Sequence, residues 1–293
     1  MNNTDTKLMK PDSSMGKLVK HLLRDRLAMV GLLLVILITG SAILAPVIVP
    51  HNPNKMNVHY RLKGPSIEHW LGTDQLGRDV FSRVIVGSRI ALKVALISIG
   101  IAGGLGLVLG MLAGFGSKKL DSILIILFDT IRSFPTIMFA LAVVTLFGPS
   151  LNTIILVVII TSIPVYGRIV RAQTQALRHN DFILAEKAMG AGKMRILGVH
   201  ILPNVIGPLL IIASMDIPVV VTIEAGLSFL GLGVRPPTAS WGSILNDGYA
   251  FIRNSPWLVI AGGAPLILTT LGFTFFGEAL RDIFDPKLKQ EVV

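Results

Sequence analysis

The chain has 293 residues, 52% of them hydrophobic and only 15% charged, with 27 Lys and Arg against 17 Asp and Glu. A mean hydropathy of +0.70 is foreign to a water-soluble domain, so the basic excess belongs on loops that resist translocation across a membrane rather than on a nucleic-acid surface. The absence of cysteine excludes disulfides and thiolate-based metal or catalytic sites.

Residues 1–28 are polar and basic (Lys7, Lys10, Lys17, Lys20, Arg24, Arg26) and predict a cytoplasmic N-terminal tail. The apolar run at 29–50 is longer than the core of a cleaved signal and predicts an uncleaved first transmembrane helix. A polar external loop follows at 51–89. Further runs of spanning length at 90–115, 122–147, 151–171, 203–230 and 257–280 make residues 90–281 a five-helix core, interrupted by a polar loop at 172–202. A short tail, 282–293, ends the chain. The fold class is therefore all-α, a polytopic membrane protein with six transmembrane helices. With the N-terminus inside, seventeen Lys and Arg fall in the inner connections and eight in the outer ones, which places both termini in the cytoplasm; six of the eight lie in the first outer loop.

Within the core, Gly106, Gly110 and Gly114 recur every four residues and predict one helix face open to close backbone approach. Pro135, Pro164, Pro208, Pro218 and Pro265 remove backbone donors in or near spans and predict kinks that can serve as hinges. Asp129, Arg132, Asp216 and Glu224 fall inside the spans, where an unpaired charge costs about 2.5–3.5 kcal/mol. Asp129 and Arg132, three apart, are placed to pair with each other. Asp216 and Glu224 have no partner nearby in sequence and are candidates, with Asp129, for a translocation path or a subunit contact. Trp70, Trp241 and Trp257 stand at span ends, the usual place of interfacial anchors.

Catalytic sets are missing. Ser228 lies in Gly226-Leu227-Ser228-Phe229-Leu230, which lacks the second glycine of a hydrolase elbow. The six histidines lie in loops or at span ends, with no His/carboxylate set at metal-ligand spacing. Gly190-Ala191-Gly192-Lys193 is no phosphate loop, because Lys187 and Met194 occupy the positions that need glycine and a hydroxyl.

Residues 181–199 instead predict two short helices, with Phe182, Ile183, Leu184, Ala185, Ala188 and Met189 in the first and Met194, Ile196, Leu197 and Val199 in the second. Gly190 and Gly192 supply the bend between them. Such a knob offers a compact surface to a partner.

Here the residues carry a resemblance. Ala185-Glu186-Lys187-Ala188-Met189-Gly190 with His200-Ile201-Leu202-Pro203-Asn204 resembles the coupling loop of binding-protein-dependent ABC importer permeases. HWLGTDQLGRDVFSRVIVGSRIAL (69–92), SFLGLGVRPPTASWG (228–242) and GEALRDIFDPKLK (277–289) narrow the resemblance to the permeases of dipeptide, oligopeptide and nickel importers. Leu184 stands where that family often has Glu, and Glu278-Ala279 where Asp-Gly is common.

The resemblance implies a type I importer permease of the inner membrane, itself not an enzyme. Residues Leu184, Ala185, Glu186, Lys187, Ala188, Met189 and Gly190 would dock on separate ATP-binding subunits. It further implies two such subunits that hold ATP and Mg2+, a homologous second permease chain, an external solute-binding protein and the lipid bilayer as partners, with no nucleic acid, no metal and no cofactor in this chain. Peptides lead the implied substrates, beside nickel, metal chelates, glutathione-like peptides and opines. An ion-coupled secondary transporter, with Asp216 and Glu224 relaying charge, is the alternative.

Overall fold

The structure, a computed structural model, describes residues 25–284, so both tails lie almost wholly outside it. Five helices are long and apolar enough to cross a membrane, and a bent pair makes a sixth span. They are α1 (Arg26–Ile48), α2 (Val80–Phe115), the pair α3 (Lys118–Arg132) and α4 (Thr136–Phe147), α5 (Leu151–Arg178), α7 (Lys193–Phe229) and α9 (Trp257–Phe284). Two short helices stand outside the spans, α6 (Asp181–Ala188) and α8 (Trp241–Ala250).

Helix α2 begins ten residues before its apolar run, because Asp79 caps it by accepting from the Ser82 N–H at 2.8 Å. Its 36 residues extend about 54 Å, well beyond the hydrocarbon thickness. The glycine stripe explains its chief partnership. A Cβ on Gly106 would sit 2.5 Å from Tyr166 Cβ, one on Gly110 2.6 Å from the Gly167 carbonyl, and one on Gly114 2.6 Å from Thr174 Cβ. Helices α2 and α5 are therefore in backbone contact along three turns, the approach that lipid, offering no hydrophobic drive between helices, rewards with dispersion energy. Tyr166, Val170, Ile154 and Val157 of α5 form the core with Ala91, Val94 and Ala102 of α2 and Ile201, Val205 and Val221 of α7. Helix α1 lies against α9 by the same device, since a Cβ on Gly31 would meet the Phe276 amide at 2.7 Å and one on Gly272 would meet Leu34 Cβ at 2.8 Å.

The run at 122–147 is not a straight helix. Helices α3 and α4 meet at 86°. Pro135 disfavours helical backbone at Phe134 and has no N–H to continue the ladder, so α3 stops and a new helix starts. The other four prolines expected to mark kinks lie inside continuous helices. Trp241 is not an interfacial anchor: it is 1% exposed, and its indole N–H donates to the Val84 carbonyl at 2.9 Å.

Candidate functional site

The coupling-type loop forms a knob at the end of the bundle where α2 ends. Helix α6 carries one fully buried side chain, Ile183, which anchors it in the core. The helix closes in a Schellman turn, with the Ala191 N–H donating to the Glu186 carbonyl at 2.9 Å and the Gly190 N–H to the Lys187 carbonyl at 3.0 Å. Gly190 takes φ +84°, which a side chain resists. Gly192, at φ −68°, needs no glycine, so the turn rests on Gly190 alone. The second helix of the expected pair is no separate element: Lys193–Arg195 pass through a π turn at Ile196–Ile201 into the long span α7.

The predicted docking residues divide into two sets. Glu186 lies 3.3 Å from His200 Nε2, and Lys187 donates to the Arg178 carbonyl at 3.5 Å with its ammonium 5.1 Å from the Phe115 ring. Lys187 thereby ties the knob to the bundle beside a cavity of about 460 Å3 that it borders with Ser117, Arg178 and Lys193. Leu184, Ala185, Ala188 and Met189 are exposed, Leu184 at 49% and Met189 at 74%, beside Met194 at 81%. Nearby, Arg171 clasps Asp121 with two donors, fastening α3 to α5.

The three acidic residues assigned to a path part company. Asp129 sits on an exposed face and pairs with Arg168 rather than with Arg132. Asp216 borders a partly open cavity of about 210 Å3 together with Arg132, Thr136, Thr161 and Ser162, and accepts from the Tyr166 hydroxyl at 2.8 Å. Glu224 is fully buried, accepts from the Ser228 hydroxyl at 2.7 Å and does not border that cavity. Arg132 and Asp216 thus bring opposite charges to the lining of one cavity, a neighbourhood hidden in sequence because the bend at Pro135 delivers it.

At the far end, residues 51–79 and α8 interlock. Asp74 accepts from the Leu76 and Arg78 N–H groups at 2.9 and 3.0 Å and from Arg78 Nε at 2.6 Å. Arg78 reaches on to Asp247 of α8 at 3.5 Å, and Arg83 donates to the Pro53 and Pro237 carbonyls at 3.3 and 3.4 Å. Burial holds the Asp247 carboxyl above its ordinary value, with Gln75 and Arg78 pulling it down less strongly.

A bundle of spanning helices with a protruding helical knob defines a multi-pass membrane protein. Residues 106–290 match the family of binding-protein-dependent transport system inner membrane components, and residues 14–65 match the N-terminal transmembrane domain of oligopeptide transport permease C. The dipeptide transport system permease protein DppC of Alkalihalophilus pseudofirmus is 38% identical over 92% of this chain and 89% of its own. The probable D,D-dipeptide transport system permease protein DdpC of Escherichia coli K12 is 36% identical over 93% of this chain and 91% of its own. A chain of the MetNI methionine ABC transporter shares the fold, with a TM-score of 0.58 at 20% identity over 69% of this chain and 97% of that one. The chain belongs to the binding-protein-dependent inner-membrane permeases and is a transmembrane subunit of an ABC importer; the ion-coupled alternative is not favoured.

Proposed function

We propose that the chain forms half of a pathway for di- or oligopeptides, the class named in its relatives, with a homologous second permease chain forming the other half. An external solute-binding protein delivers the peptide to the end built from 51–79 and α8. Two ATP-binding subunits, which hold ATP and Mg2+ and perform all hydrolysis, dock on the knob at the cytoplasmic end, where both termini also lie. This chain needs no cofactor of its own.

The observation that carries the proposal is the knob: a helix with one buried residue that leaves Leu184, Ala185, Ala188 and Met189 outward. An exposed apolar patch on a polar loop is a contact surface in want of a partner. Its attachment through Ile183, Lys187 and the direct run into α7 makes it a lever, so closure of the two ATP-binding subunits moves α7 and with it Asp216. The cavity's opposite charges, Arg132 and Asp216, suit a substrate that carries both signs, as a peptide does. Gentle extraction of the tagged chain from its native membrane and mass spectrometry of its companions tests the reading. Two P-loop ATPase chains, or one in double dose, with a second permease are expected; a chain that purifies alone, in a detergent that preserves known complexes, contradicts it.

A further inference from the structure

We propose that His51, His69 and Asp79 form a binding site for a divalent transition-metal ion of the zinc type at the bundle's outer end. None of the three is adjacent in sequence, and no ligand spacing announces them; the fold collects them. His51 follows the end of α1, His69 sits in the segment before α2, and Asp79 caps α2. One candidate ligand atom from each lies within 4.8 Å of the others. Two imidazole nitrogens and a carboxylate oxygen are the donor set of open zinc sites, in which water takes the fourth position.

The carboxylate is oriented for this role. Asp79 Oδ2 is committed to the Ser82 N–H, which turns Oδ1 toward the imidazoles, 2.8 Å from His69 Nδ1 and 3.9 Å from His51 Nδ1. The two rings lie with centroids 4.8 Å apart, and Tyr60 packs edge-on against His69. His51 Nδ1 is shielded from solvent and has no hydrogen-bond partner. A shielded ring nitrogen left unpaired is costly, and a cation between it and Asp79 would satisfy it.

Bonds of about 2.0–2.1 Å in a tetrahedron set ligand atoms about 3.3 Å apart. The present separations lie on both sides of that value, so His69 has to release its direct bond to Asp79 and His51 has to turn inward. His51 has the freedom, since its side chain is 38% exposed. It borders an open cleft of about 410 Å3 with Asn52, Pro53, Val86 and Arg89, which gives an ion its entry. The nearby Arg83 charge is already answered by Asp74 at 3.5 Å and by two carbonyls. A bound ion would pin the end of α1 and the segment 51–79 to the start of α2, stiffening the outer rim. The site lies apart from the knob and the charged cavity, and does not depend on their reading.

The test is calorimetric titration of Zn2+ into the chain in its importer complex, carried on a histidine-free tag and stripped with chelator. One Zn2+ per chain is expected. His51→Ala should weaken binding at least about tenfold, while His200→Ala, which removes the other histidine–carboxylate pair among the described residues, should leave it unchanged. Zn2+ should also raise the Tm of the wild type but not of His51→Ala. No uptake of zinc, or affinity that survives His51→Ala, overturns the site and leaves a hydrogen-bonded clamp. Should that variant fail to fold, zinc X-ray absorption on the wild type decides: two imidazoles with oxygen are expected, and any other ligand set overturns the proposal.

Discussion

The two ends of the bundle solve opposite problems. At the outer end, Asp74, Arg78, Asp79 and Arg83 are all buried: Asp74 pairs with Arg78, Asp79 caps the start of α2, and Arg83 donates to two carbonyls. At the knob, the eight residues of α6 project on one buried isoleucine and leave Leu184, with Met189 just beyond the helix, in the open. The charges Asp74, Arg78 and Asp247 find their partners within one chain, whereas the knob makes physical sense only when covered. Stability and partnership are therefore separable here, and substitutions at the two ends should differ in kind.

The largest effect is expected from Arg78→Ala. Removing the guanidinium takes from buried Asp74 its nearest charged partner, leaving two backbone N–H groups and Arg83 at 3.5 Å, and loss of one partner of a buried pair costs up to about 3–5 kcal/mol; a marked fall in Tm and in yield of monodisperse chain is the expected outcome. Next is Gly190→Val. Its position is sterically open, so the cost is backbone strain of about 1–2 kcal/mol at φ +84°. The chain should still insert and keep most of its Tm, while uptake and co-purification of the ATP-binding subunits fall. Normal uptake and attachment in that variant contradict the coupling role.

Leu184→Asp with Met189→Glu should move stability by no more than about 0.5 kcal/mol, as exposed sites do, yet abolish attachment of the ATP-binding subunits. The smallest effect is a pH slope. Because burial raises the folded-state value of Asp247, its contribution to stability grows as pH falls through that value and is lost as pH rises. Asp247→Asn should flatten this part of the Tm profile on the acid side, as pH falls toward the ordinary carboxylate range, as thermal unfolding in detergent will show.

The sequence announces the knob better than the outer end. Six apolar runs, the Gly106–Gly110–Gly114 stripe and a polar break with Gly190 are local signals, and each has a local physical cause: hydrocarbon thickness, backbone approach and a left-handed turn. The outer network is assembled from Asp74, Arg78 and Arg83 with Asp247, far apart in the chain. In sequence, Arg78 and Arg83 look like loop charges that spoil an orientation count; in the fold they are buried and paired. Asp129 shows the same limit, since helical spacing offers it Arg132 whereas the packing of α3 on α5 supplies Arg168. The bend at Pro135 is signalled by one residue, but its 86° and the placing of Arg132 and Asp216 around one cavity belong to tertiary structure.

The absence of cysteine makes one experiment direct. Leu184→Cys or Met189→Cys in the assembled transporter gives a single thiol on the outward face of α6, and a short bifunctional reagent reports its neighbour. Cross-linking to an ATP-binding subunit, changing in yield with nucleotide, is the expected result. The same thiol remaining uncoupled in an active complex, while one placed on the outer segment at Ile67→Cys captures that subunit, would contradict the assignment of the knob.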